Sequence, residues 1–118
     1  MLMPAPGRSF DFASYEKEQV MPKYVIEREM PGVTELSRDE LQGASQTSNE
    51  ALSSMGGDVR WIQSFVTEDK VFCVYIAPSP ERVREHANLA GLPANQIHQV
   101  ERIIDPTTAE AKPAEVPA

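Results

Sequence analysis

A chain of 118 residues, 41% hydrophobic and 25% charged, is enough for one globular domain and little more. Its 18 acidic residues outnumber 11 basic ones for a formal charge of −7, and Lys and Arg form no cluster. That balance argues against a nucleic-acid backbone or an anionic membrane as partner and leaves cationic partners, metal ions included, within reach.

Residues 1–21 read as an extension. Two prolines and a glycine break up Met1 to Gly7, while Ser9 to Gln19 has the makings of a short helix docking through Phe10, Phe12 and Tyr15. Met21 followed by Pro22 is the expected native start, and no basic stretch leads into an apolar run as in a signal peptide. Tyr24 to Met30 is a strand, with Tyr24, Ile26 and Met30 on one face and Val25, Glu27 and Glu29 on the other. Pro31-Gly32 ends it. Ser37-Arg38-Asp39-Glu40 has the spacing of a capping box, and Leu41, Ala44, Ser48, Ala51, Leu52 and Met55 then recur at helical spacing until Gly56-Gly57 stops the helix. The small side chains of that stripe predict a close approach to a sheet.

Val59 to Ala77 is the stretch around which the rest is organised. Two runs rich in β-branched and aromatic residues flank the polar turn Thr67-Glu68-Asp69-Lys70, the pattern of an antiparallel hairpin. In the second run Phe72, Val74 and Ile76 face one way and Val71, Cys73 and Tyr75 the other. Both sets are apolar or amphipathic, so this strand belongs in mid-sheet, covered on both sides. Ser79-Pro80-Glu81 starts a second helix, which runs with Val83, Ala87 and Ala90 inward to Gly91. Ile97 to Ile104 is the last strand. Asp105-Pro106 closes a domain spanning residues 22–106, and residues 107–118, rich in Pro, Ala and Glu, read as a disordered tail.

The order β-α-β-β-α-β is that of an α+β, ferredoxin-like fold, a four-stranded antiparallel sheet with two helices on one face. The second face keeps apolar residues from Trp61 or its neighbours and from Tyr75 or Phe72, so a homodimer joined through the sheet faces is expected.

From Met21 to about Glu110 the chain resembles a bacterial family of SCO4226-like nickel-binding proteins, also called DUF4242. The resemblance rests on MPKYVIEREMPG, LSRDELQGASQTSNEAL, WIQSFVTEDKVFCVYIAPSPERVREHANLAGLPANQI and IIDPTTAE. It implies a ferredoxin-like dimeric α+β barrel and nickel as the bound ion. No catalytic motif comes with it.

Four side chains are candidate metal ligands. His86 lies beside the inward face of the second helix, where it is either a ligand or a boundary histidine bonded to a backbone carbonyl or water. Glu27 and Glu29 share a strand face roughly 7 Å apart, poised for a metal or for acid-base work if partly buried and an edge-blunting charge pair if solvated, while Arg28 between them points the opposite way. His98 sits on the last strand, with Glu101 on the opposite face. Tyr24, Trp61, Cys73 and Tyr75 would line any pocket between sheet and helices, although packing accounts for each of them as well. No Cys-x-x-Cys, His-x-x-x-His or phosphate loop occurs.

Two readings of function follow. The first is a small cytoplasmic protein binding nickel or a similar divalent ion, for sequestration or buffering, without enzymatic activity. The second is a dimeric α+β barrel enzyme or ligand binder resembling cofactor-free monooxygenases and isomerases, with His86, Glu27 and Tyr24 converging on an organic substrate.

Overall fold

The computed structural model describes residues 21–110. Residues 1–20 of the extension read over residues 1–21, and the tail beyond Glu110, lie outside the described residues. Four strands, β1 (Lys23–Glu29), β2 (Arg60–Val66), β3 (Lys70–Ile76) and β4 (Gln96–Gln99), form one antiparallel sheet in the order β2-β3-β1-β4. Two helices, α1 (Arg38–Ser54) and α2 (Pro80–Ala90), connect them in the expected ferredoxin-like succession.

Local chemistry sets the boundaries. The Ser37 hydroxyl accepts from the Glu40 amide, and the Glu40 carboxylate accepts from the Ser37 amide at 2.8 Å, so the capping box that starts α1 is complete. Ser79 caps α2, with Pro80 in its first turn, and Gly91 ends it at φ 72°, a conformation that a β-carbon disfavours. The Thr67 amide donates to the Lys70 carbonyl and closes the hairpin between β2 and β3.

The core lies between the helices and one face of the sheet. Tyr24 and Ile26 of β1 meet Val71, Cys73 and Tyr75 of β3 there, with Val83 and Ala87 of α2 above them, all buried. Each large apolar side chain so buried contributes about 1.5–3 kcal/mol. β1 and β3 are the two inner strands, so β3 occupies the place its two-sided pattern demands.

Three details differ from the sequence expectation. First, β2 carries a bulge between Trp61 and Gln63, with Ile62 left 48% exposed. Strict alternation would set Trp61 and Ser64 on opposite faces; the extra residue returns both to the helix face, opposite Tyr75 and Cys73, and Trp61 Nε1 donates to Ser64 Oγ at 2.9 Å. Second, β4 ends at Gln99 rather than Ile104. Val100 still donates to the Lys23 carbonyl, but the next residue of the neighbouring strand, Pro22, has no N–H and gives its carbonyl to Ala77. Ile103 and Ile104 are left exposed. Third, the first residues assigned to the tail form a single turn over Pro106–Ala109, capped by Asp105.

Candidate functional site

The small residues of α1 do not draw its first half tightly onto the sheet. Leu41 and Ala44 remain exposed and Ser45 half-buried, and beneath them lies a partly open cavity of about 120 Å³. Its floor is the helix face of the sheet: Arg28, Trp61, Ser64, Val66, Val71, Cys73 and Tyr75. Met30, Val33, Leu36 and Leu92 close the sides, and the lining is overwhelmingly apolar. Of the four residues expected around a pocket, Trp61, Cys73 and Tyr75 line it. Tyr24 does not, being packed into the core at 2% exposure.

Arg28 is the exceptional group. Period-two alternation on β1 sends Tyr24, Ile26 and Arg28 to the helix side, which leaves the guanidinium 1% exposed. Among the described residues it faces no carboxylate. Its Nε donates to Cys73 Sγ at 3.3 Å, one terminal nitrogen to the Pro93 carbonyl, and the other to Tyr75 Oη at 3.2 Å. The Tyr75 ring adds a cation–π contact, its centroid 5.9 Å from the guanidinium carbon. Neutral acceptors satisfy geometry without neutralising charge, and an isolated buried cation costs on the order of several kcal/mol. Sequence reasoning saw that Arg28 points away from Glu27 and Glu29, but not that it enters the interior. The signal was present: a charge in the apolar series Tyr24, Ile26, Met30.

A polar chain continues behind it. The ring centroids of Tyr75 and His86 are 5.2 Å apart, and His86, fully buried on α2, meets Ser48 of α1. His86 Nε2 lies 3.3 Å from the Ser48 carbonyl, to which it donates when it carries the ring proton, and 3.2 Å from the Ser48 hydroxyl. Among the described residues the buried Nδ1 has no hydrogen-bond partner. Burial pushes the imidazole pKa down, the Ser48 carbonyl partly offsets this, and the nearby Arg28 charge lowers it further. His86 is therefore neutral at pH 7. Burial likewise pushes the Tyr75 phenol up, with Arg28 and Ser48 acting against it.

The opposite face of the sheet has different contents. Glu27 Oε2 accepts from Lys70 Nζ at 2.7 Å, while Oε1 lies 3.9 Å from His98 Nε2. That lysine bond is the main reason the Glu27 carboxyl titrates below its ordinary range, so it is anionic at neutral pH. Glu29 shares this face, exposed at the end of β1. Apolar side chains surround the pair: Val25, Phe72, Val74 and Ile76 are half-buried and Phe65 is 52% exposed.

The sheet thus separates the candidate ligands. Glu27, Glu29 and His98 lie on the open face and His86 lies beneath the helices, so the four do not meet within one chain. For the same reason His86, Glu27 and Tyr24 do not converge on one substrate, because Glu27 faces away from the other two. Among the described residues, no group of three or more His, Cys, Asp or Glu side chains comes together to hold a metal ion. No helix among them is long and apolar enough to cross a membrane.

With this geometry in view, the family of nickel responsive proteins described as SCO4226-like matches residues 24–100. The chain belongs to this family. The matched residues run from β1 through β4 and contain every candidate ligand and every residue lining the cavity. Among solved structures, the chain is similar to SCO4226 from Streptomyces coelicolor A3(2), with a TM-score of 0.60 and 22% identity, covering 70% of this chain and 99% of that one. That likeness supports the ferredoxin-like arrangement of strands and helices. No curated protein matches the chain.

Proposed function

We propose that this protein is a nickel-binding member of its family, holding the ion on the open face of the sheet. The observation that carries this reading is the pairing of Glu27 and His98, an anionic carboxylate oxygen and an imidazole nitrogen 3.9 Å apart on neighbouring strands. Imidazole and carboxylate donors suit nickel, and copper and zinc by the same chemistry. The family's description as nickel responsive supports the choice of ion.

Two side chains do not complete the coordination of such an ion, and the surrounding apolar surface favours covering this face. A second copy of the chain packed sheet to sheet supplies both needs, doubling the donors to two carboxylates and two imidazoles. The protein is then a homodimer binding one ion per pair of chains, suited to sequestration or buffering in the cytoplasm, where its lone cysteine stays reduced. Lys70 fixes the Glu27 carboxylate but also competes for it.

The test is calorimetric titration of Ni²⁺, with Zn²⁺ and Cu²⁺ as comparators, into metal-stripped protein. We expect one Ni²⁺ per two chains, at least ~10-fold weaker binding in His98→Ala and Glu27→Gln, and tighter binding in Lys70→Met. His86→Ala should bind as the parent does; loss of binding there would move the site beneath the helices. Affinity no better than about 1 mM, roughly −4 kcal/mol, would sink the nickel reading.

A further inference from the structure

We infer that the cavity beneath α1 is a binding site for a small monocarboxylate, whose carboxylate pairs with Arg28 and whose hydrocarbon part fills the apolar space between Val33, Leu36, Leu41 and Val71. The site lies on the other side of the sheet from Glu27 and His98 and is independent of the nickel reading.

Three observations carry it. Arg28 is a cation at 1% exposure lining a cavity, and among the described residues no carboxylate contacts it. A guanidinium has five N–H groups, of which three have protein acceptors. Each terminal nitrogen thus keeps one N–H without a protein acceptor among the described residues, and a carboxylate is the anion that takes two guanidinium N–H groups at once. Finally, the cavity of about 120 Å³ is close to that of dry apolar cavities known to admit a benzene-sized molecule, roughly 150 Å³.

The charge count selects the ligand class. A monoanion neutralises Arg28 exactly once, whereas a phosphate dianion would bring a second buried charge with no cation to meet it. A neutral hydrocarbon would fill the space and leave the guanidinium unpaired. Tyr75 and Cys73 already hold the guanidinium in place, and Ser48, Ser45 and Ser64 are hydroxyls on the cavity wall within the same site. Ala44, exposed, and Ser45, half-buried, line the cavity from α1.

The experiment is a titration of the full, metal-stripped chain with benzoate, hexanoate and benzamide, followed by amide chemical shifts. We expect benzoate and hexanoate to saturate, with shifts confined to the segments that line the cavity, and benzamide to bind at least ~10-fold more weakly, since a charge-assisted pair is lost. Ala44→Phe, which puts a bulky ring on the α1 wall of the cavity, should abolish binding while the folded spectrum persists. Arg28→Lys keeps the charge but not the fork and should weaken benzoate several-fold. Absence of saturable binding at about 20 mM of either acid, some 50-fold above a sub-millimolar site, overturns the proposal. Equal binding of benzoate and benzamide does so too, because the cavity would then recognise only hydrocarbon. So does benzoate binding that survives Ala44→Phe, which would place it elsewhere.

Discussion

The two faces of the sheet are built from the same strands and solve opposite problems. Glu27 and Arg28 are neighbours in β1, yet one lies on an open surface beside Lys70 and His98 and the other in the interior beside Tyr75 and Cys73. On the open face a carboxylate is partnered by a lysine and solvent screens what is left. On the helix face the cation meets neutral acceptors among the described residues and is 1% exposed. A charge placed by period-two alternation thus becomes ordinary or costly according to what packs above it, and the costly one marks a site.

The largest effect that tests this contrast is in packing. Ile26→Ala, in the closed layer at 0% exposure, should lose about 2–5 kcal/mol of stability in urea unfolding. Val25→Ala, one residue away on the open face, should lose well under half of that in dilute monomeric protein. Equal losses would mean that the open face is already covered, sharpening the case for a sheet-to-sheet dimer.

A smaller effect of opposite sign is expected at Arg28. Arg28→Met replaces an unpaired buried cation by an apolar side chain of similar length and should raise the stability of the ligand-free protein by about 1–2 kcal/mol, measured as the urea midpoint at constant m-value. A site held in reserve for a ligand costs stability when empty. Destabilisation by Arg28→Met would show instead that the bonds to Pro93 and Tyr75 outweigh the burial of charge.

The smallest expected effect is a pH dependence that originates on the helix side. Burial holds the His86 pKa below its ordinary value of 6.5, so the unfolded chain takes up a proton before the folded one does. Stability is therefore full above about pH 6.5 and declines as pH falls from there toward the folded-state pKa. His86→Leu should flatten the part of this slope between pH 7 and 5.5. A slope unchanged in His86→Leu would contradict the neutral, buried imidazole.

Much of the fold was legible because it rests on local chemistry. Ser37 and Glu40, Ser79 and Pro80, Gly91, and the turn at Thr67 to Lys70 each satisfy backbone groups within a few residues of themselves, and each appears where its pattern put it. The site was far less legible. His86, read as a boundary residue, proved fully buried, and Arg28 was noticed only for pointing away from the glutamates.

By itself the sequence determined the order of elements, their caps and the side of each inner strand that carries its apolar residues. These follow from hydrogen bonds and side-chain periods that act over one turn or one pleat. Only the tertiary structure decided the face of Trp61, because a one-residue bulge reverses alternation without leaving a mark in the pattern. It decided equally that Arg28 meets Tyr75 across 47 positions and that His86 meets Ser48 across 38. Such contacts depend on which helix covers which strand, and the burial that gives a charge its cost exists only after that packing is made.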